Sequence, residues 1–202
     1  MKVVVATRNR NKVREIAALL AEAGLDLVAV PIDDLAPGAE LVEDEDNFEG
    51  NALAKARQAS AACGLPALAD DSGIEVDALG GAPGVRSARW AGEPCDDGRN
   101  NHKMLREMAA VPTEKRTARY RCAAAFVDLA QSLELVRTGA CEGVVMTAPR
   151  GRGGFGYDPL FLVPSLGKTM AEIDLAEKNR LSHRAAAFRA LAQALREGLG
   201  KR

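Results

Sequence analysis

The sequence predicts a mixed α/β fold, a long mixed β-sheet flanked by helices, and three observations carry the prediction. First, the chain opens strand, polar loop, helix, strand. Lys2 to Ala6 is a β-branched run, Val13, Ile16, Ala17 and Leu20 recur at helical spacing, and Leu25 to Val30 is apolar again before Pro31. That is a βαβ unit, for which a right-handed crossover is expected. Second, Thr117 to Leu129, Leu133 to Arg137 and Gly143 to Thr147 read as successive strands. Third, residues 170–198 read as helical. Strands and helices in this order form an α/β molecule with a cleft.

The elements follow in order. Gly24 ends the first helix as a left-handed residue. Residues 40–49 are acidic, with Glu40, Glu43, Asp44, Glu45, Asp46 and Glu49 and no base among them, and read mostly as a solvated loop. Asp46 or Asn47 caps a second helix, where Phe48, Ala52, Ala56, Ala59 and Cys63 form a core face and Asn51 and Lys55 lie one turn apart beside it. Gly64 and Pro66 end it. Ala67-Leu68-Ala69 is a short strand running into a turn, Asp70-Asp71-Ser72-Gly73, and Ile74 to Leu79 alternates as another strand. Gly80 to Gly84 is a loop. Asp96 or Asp97 starts a third helix to about Ala110, with Met104, Leu105 and Met108 inward and His102 at the surface. Asp174 with Glu177 makes a capping-box pattern, and Lys201-Arg202 is a loose tail.

The 202 residues suit a single domain, 1–202, built as two lobes, with the middle hairpins forming the second lobe on a continuous sheet. With 47% apolar residues and a net charge of -1, the chain is not of the disordered class, nor does it carry a global basic field for nucleic acid or an anionic membrane. Aromatic residues, at 4%, are too few for base-stacking platforms. No run of eighteen apolar residues occurs, and the N-terminal apolar stretch is too short for a signal peptide. Cys63, Cys95, Cys122 and Cys141 form no C-x-x-C pair, so reduced thiols in a cytoplasmic protein are expected.

Five segments carry chemistry. The loop Thr7-Arg8-Asn9-Arg10-Asn11-Lys12 leads into a helix N-terminus, which attracts phosphate; it lacks the glycines of a P-loop and reads equally as a solvated turn. Asp70 and Asp71 stand at a strand end, where open α/β sheets bind ligands, and can hold Mg²⁺ or act as a base. An extended backbone points them oppositely, one toward the cleft and one bracing the turn. One acidic residue of 40–49 can join Asp71 on a cation. Gly151 to Gly156 satisfies G-x-G-x-x-G, but Asp158-Pro159 follows where a helix should open, so the dinucleotide fingerprint is rejected. A glycine loop presenting Phe155 and Tyr157 suits a planar base. Finally, Lys178 to Arg184 is the densest basic segment. Lys178, His183 and Arg184 cannot share one face of a straight helix, so convergence on one ligand requires a break near 180–182, with Ser182 as a fresh cap.

These segments resemble, in order, the inosine triphosphate pyrophosphatase family. The matching motifs are Val5-Ala6-Thr7-Arg8-Asn9-x-x-Lys12, Phe48-Glu49-Gly50-Asn51-Ala52-x-x-Lys55-Ala56 and Ala69-Asp70-Asp71-Ser72-Gly73. Then come Gly80-Gly81-Ala82-Pro83-Gly84, Ser87-Ala88-Arg89, Gly154-Phe155-Gly156-Tyr157-Asp158-Pro159 and Glu177-Lys178-Asn179-x-x-Ser182-His183-Arg184. The resemblance covers about residues 3–195. It implies a long mixed sheet in two lobes with the nucleotide in the cleft between them, a homodimer, and the reaction NTP + H₂O → NMP + pyrophosphate with Mg²⁺. Thr7, Arg8, Asn9, Arg10, Asn11 and Lys12 would hold the phosphates, with Lys55 near them. Asp71 would be the catalytic carboxylate and a metal ligand, Ser72 would contact substrate, and Glu43 would be the second metal carboxylate. Phe155, Gly156, Tyr157 and Asp158 would enclose the base, and Lys178, His183 and Arg184 would read its edge. The family most often has glycine where this chain has Arg8, and a glycine and threonine in the acidic loop that are absent here.

The implied substrates are dITP, ITP and XTP. Their 6-oxo group accepts from His183 and Arg184, whereas the amino group of adenine would face donors and leave them unsatisfied, at about 1–3 kcal/mol. Two alternatives share the motifs: a nucleotide-binding module without catalysis, and a pyrophosphatase acting on dTTP or UTP. Asp71, Lys12 and Lys55 argue against the first, and the 178–184 segment against the second.

Overall fold

The computed structural model describes residues 1–199; the expected loose tail, Lys201-Arg202, lies outside them. The strands are β1 (Lys2–Val5), β2 (Val28–Pro31), β3 (Ala67–Val76), β4 (Thr117–Asp128), β5 (Leu133–Val145), β6 (Phe161–Val163) and β7 (Lys168–Thr169). The helices are α1 (Arg10–Glu22), α2 (Ile32–Leu35), α3 (Phe48–Cys63), α4 (Asp97–Glu107), α5 (Leu175–Leu181) and α6 (His183–Leu199). The strands form one sheet in the order β2-β1-β3-β4-β5-β6-β7. β1 runs parallel to β2 and β3, while β5, β6 and β7 pair antiparallel, so the sheet is mixed as expected.

The chain packs as two compact units. Unit 1 comprises residues 1–71, 122–139 and 183 onward; unit 2 comprises 72–121 and 140–182. Each has its own core. In unit 1, Val3, Val5 and Leu68 pack with Ile16, Leu19 and Leu20 of α1 and Phe188, Leu191 and Leu195 of α6. Val3 to Ala6 is buried continuously, as a parallel strand covered on both faces requires. Unit 2 gathers Ile74, Val76, Met104, Met108, Tyr120, Tyr157, Phe161 and Met170.

Local signals set most boundaries. Asn47 caps α3 by accepting from Gly50 N at 2.7 Å, Asp96 caps α4 by accepting from Arg99 N at 2.7 Å, and Gly64 closes α3 at φ +63. Asp174 accepts from Glu177 N at 2.7 Å to cap α5. The C-terminal helix breaks at Ser182, whose backbone is extended at φ -70, ψ 155. His102 is exposed, and the four cysteines are unpaired thiols. Among the described residues, no helix is long and apolar enough to cross a membrane.

Four sequence expectations change. Ala17 is exposed, and Leu19 takes its place on the buried face of α1. The second strand begins at Val28 rather than Leu25 and includes Pro31 as its last residue. Asp70 to Gly73 is not a turn: β3 continues through it as one ten-residue strand. The strands expected at 133–137 and 143–147 are one strand, β5. Two glycines inside β5 are sites of close approach. A Cβ on Gly139 would collide with the backbone of His183 and Ala187 in α6, and one on Gly143 with the ring of Phe161. Gly139→Ala is therefore expected to cost about 1–3 kcal/mol through overpacking against backbone that has no side-chain freedom to yield. Thermal unfolding checks this as a melting point lower by several degrees.

Candidate active site

The loop expected to hold phosphate is built around Asn9. Its Oδ1 accepts from Asn11 N at 2.9 Å and Lys12 N at 3.3 Å, making Asn9 the N-cap of α1. Thr7 Oγ1 in turn accepts from Asn9 N at 3.2 Å. Asn11 accepts from Arg14, and Arg10 is exposed. Arg8 turns toward the 33–39 segment: its guanidinium lies 3.2 Å from Asp33 and donates to the Ala39 carbonyl at 2.7 Å.

Asp70 and Asp71, neighbours on β3, take separate partners as the alternation of a strand requires. Asp70 is buried, with Lys12 Nζ at 3.1 Å and the Arg184 guanidinium bound through two nitrogens at 3.1 and 2.9 Å. The third nitrogen of Arg184 pairs with Glu15. Burial alone would raise the Asp70 carboxyl, but Lys12, Arg184 and Lys55 overcome it and hold the group well below the usual carboxylate range. These neighbours therefore favour the ionised form of Asp70. Arg184, 1% exposed, lies inside unit 1.

Asp71 sits in the second cluster. Asn51 Nδ2 donates to its Oδ2 at 3.1 Å, and Lys55 Nζ lies 3.4 Å from its Oδ1. Lys55 also pairs with Glu43 and donates to the Asp70 carbonyl at 2.8 Å. Asn51 is itself fixed by Glu45, accepting from its N–H at 3.0 Å and donating to its carbonyl at 3.2 Å. Burial raises the Asp71 carboxyl above its ordinary value; Lys55 and Lys12 oppose this, and Glu43 adds to it. A buried carboxylate lifted in this way is suited to take a proton. Burial lowers the Lys55 ammonium, yet Asp71, Glu43 and Asp70 together raise it, so it stays charged.

In unit 2 the glycine loop is organised by Asp158. Its buried carboxylate accepts from Phe155 N at 3.0 Å, Tyr120 Oη at 3.2 Å and Lys178 Nζ at 2.8 Å. A Cβ on Gly154, at φ +73, would strike that carboxylate. Lys178 Nζ also lies 4.8 Å from the centroid of the half-buried Phe155 ring. Gly156 N donates to Asp97 at 2.7 Å, and Asn101 Nδ2 donates to Gly156 O at 2.9 Å. Tyr157, expected beside the base, is instead in the core, its hydroxyl donating to Ser87 O at 2.8 Å. Ser72 is half-buried on β3, and His183 is buried at the start of α6.

Sequence reasoning did not assign site roles to Asn51, Glu15, Asn101 or Tyr120, and read Asp97 only as a candidate helix start. Two of these carried a signal: Glu15 lies three residues after Lys12 on α1, and Asn51 lies four before Lys55 on α3, each pair on one helix face.

Two carboxylates of opposite condition, one lowered and one raised, thus stand beside two lysines on a mixed α/β sheet, a candidate site for an anionic substrate. The chain belongs to the Ham1 family, whose model matches residues 3–194. It is 54% identical over 194 residues to the dITP/XTP pyrophosphatase of Symbiobacterium thermophilum, covering 96% of this chain and 93% of that one. It is 48% identical over 199 residues to the dITP/XTP pyrophosphatase of Escherichia coli K12, covering 98% and 99%. Among solved structures, a HAM1 protein from Coxiella burnetii matches with a TM-score of 0.86 at 38% identity, covering 98% of this chain and 99% of that one.

Proposed function

We propose that this protein hydrolyses non-standard purine nucleoside triphosphates, dITP, ITP and XTP, to the monophosphate and pyrophosphate, removing deaminated purines from the nucleotide pool. The family membership and the relatives named as dITP/XTP pyrophosphatases support this reading. The observation that carries it is the Asp71 cluster: a buried carboxylate raised by desolvation, oriented by Asn51 and flanked by Lys55 and Glu43.

In this reading Asp71 takes a proton from water as the water oxygen bonds to the α-phosphorus. The bond from that phosphorus to the bridging oxygen breaks, and pyrophosphate leaves. Lys12 and Lys55 neutralise phosphate charge, an effect that grows as charge develops in the transition state. Asp70, kept ionised, positions Lys12. Thr7, Asn9, Arg10 and Asn11 surround the phosphates, and Ser72 contacts them from β3.

The donor chemistry fits Mg²⁺. Among the described residues there is no cluster of three or more His, Cys, Asp or Glu side chains arranged for a metal. Mg²⁺ needs only one or two carboxylates when phosphate oxygens and water complete its shell, and Glu43 and Asp71 both reach Lys55 Nζ. Glu43 and Asp71 would hold the ion, which supplies charge neutralisation at the phosphates.

For the base, Phe155 and Gly156 provide a face and backbone groups, Asp158 and Lys178 hold that loop in shape, and His183 donates to the 6-oxo group. Tyr157 supports the loop from the core, and Arg184 acts as a positioning residue for Asp70. The protein works as a homodimer in the cytoplasm, as the family resemblance implies.

The test is incubation with dITP, XTP, dATP or dGTP and Mg²⁺, measuring pyrophosphate and orthophosphate separately. Pyrophosphate with monophosphate from dITP and XTP, and little product from dATP and dGTP, is expected. Orthophosphate as the first product would move the attack to the γ-phosphate and overturn the reading.

A further inference from the structure

Helix α4 carries Arg99, His102, Lys103 and Arg106 at positions i, i+3, i+4 and i+7, a single face of the helix. With Trp90 they line a concavity of about 510 Å³ in unit 2, and no carboxylate is among its lining residues. None of these side chains belongs to the clusters described above.

Arg99 and Lys103 are held in place without being neutralised. Arg99 donates to the carbonyls of Ala91 at 2.9 Å and Pro94 at 3.4 Å. Lys103 Nζ donates to Trp90 O at 2.6 Å and lies 4.8 Å from the Trp90 ring centroid. Carbonyls fix the direction of a charge and do not cancel it. Of the acids nearby, Asp96 caps the helix through Arg99 N, Asp97 accepts from Gly156 N and Glu93 meets the Cys95 thiol at 3.5 Å, and none of the three forms an ion pair with Arg99 or Lys103. Glu107 reaches Arg106 at 3.0 Å, but that pair is exposed and weak. Arg99 also stands in the first turn, where the helix dipole favours anions. Like charges one turn apart on the same face repel. The face is electrostatically unfavourable by itself, and a bound anion would relieve it.

We propose that this face of α4 binds the phosphate chain of a polyphosphate compound. Residues 99 to 106 span about 10 Å along the helix axis. That suits several linked phosphates better than a single small anion. The chain as a whole, at net charge -1, has no field for a long nucleic acid. One side of the Trp90 ring is occupied by Lys103, and Tyr157 packs tilted at 6.5 Å, so recognition rests on the phosphates and not on stacking of a base. The proposal does not rest on the hydrolytic reading above.

Trp90 is the sole tryptophan, so its fluorescence reports this site. Sodium tripolyphosphate and ATP are titrated separately into metal-free, low-salt buffer, with calorimetry alongside. A saturable response is expected, similar for the two compounds and at least tenfold weaker in Arg106→Glu. Arg106 is exposed and makes no bond to the 90–94 loop, so that variant keeps its fold. The response should survive in Lys12→Ala. No binding by either method would overturn the proposal. So would a response lost in Lys12→Ala and kept in Arg106→Glu, which would place the phosphates in unit 1. ATP binding more than tenfold tighter than tripolyphosphate would overturn the assignment to the phosphate chain.

Discussion

Asp71→Asn is expected to lower kcat by about 10²–10⁴-fold, the range over which a positioned general base contributes. The substitution is nearly isosteric. The Asn51 amide still finds an oxygen to donate to, and Lys55 keeps Glu43 and the Asp70 carbonyl. The fold should persist, so the melting point moves by only a few degrees while turnover collapses. KM for dITP should change less than kcat, because in the proposed site Lys12 and Lys55 remain to hold the phosphates. Steady-state kinetics with a thermal unfolding control checks both. Full turnover in the variant would remove Asp71 from the chemistry.

Arg184→Met is expected to be the most destabilising single change in unit 1. It leaves Asp70 and Glu15 without the guanidinium that bridges them. Breaking a buried ion pair by removing one partner costs about 3–5 kcal/mol, because the remaining charge stays desolvated. Adding Asp70→Asn to that variant should recover part of the loss, since the stranded charge is then gone. Arg184→Lys should not restore the wild type: an ammonium lacks the fork that reaches both carboxylates. Denaturant unfolding of the variants measures these differences. Residual activity should fall in the same proportion for dITP and dATP. A collapse of the preference for dITP over dATP, with stability unchanged, would return Arg184 to the base edge.

The opening βαβ unit and the helix starts at Asp46 or Asn47 and at Asp96 or Asp97 were legible because local chemistry decides them: an apolar period, and a polar side chain at a helix start. The break at Ser182 was legible only as the condition for Lys178, His183 and Arg184 to meet one ligand. The pairing of Lys55 with Asp71 could be suspected only through resemblance, since the two come from different elements and nothing local joins them. The reach of Arg184 to Asp70 and Glu15 was illegible for the same reason, sharpened by distance along the chain. A basic segment reads as solvated until the carboxylates that bury it are found. Gly73 misled, because β3 runs straight through the expected turn, whereas Gly139 and Gly143 inside β5 answer to the packing of α6 and Phe161, which arrive from elsewhere in the sequence.

The demand for a missing side chain at Gly139, Gly143 and Gly154 has a consequence for how this protein can vary. Every amino acid reachable from a glycine codon by changing one base carries a Cβ. At these three positions no single-base replacement is sterically neutral, whatever its polarity or charge. Drift there requires a prior change in the neighbour: a smaller side chain than Phe161, a shifted α6, or a smaller side chain than Asp158. The glycines and their neighbours therefore form linked pairs, and a graft of the 154–158 loop into another scaffold would have to move Gly154 and Asp158 together.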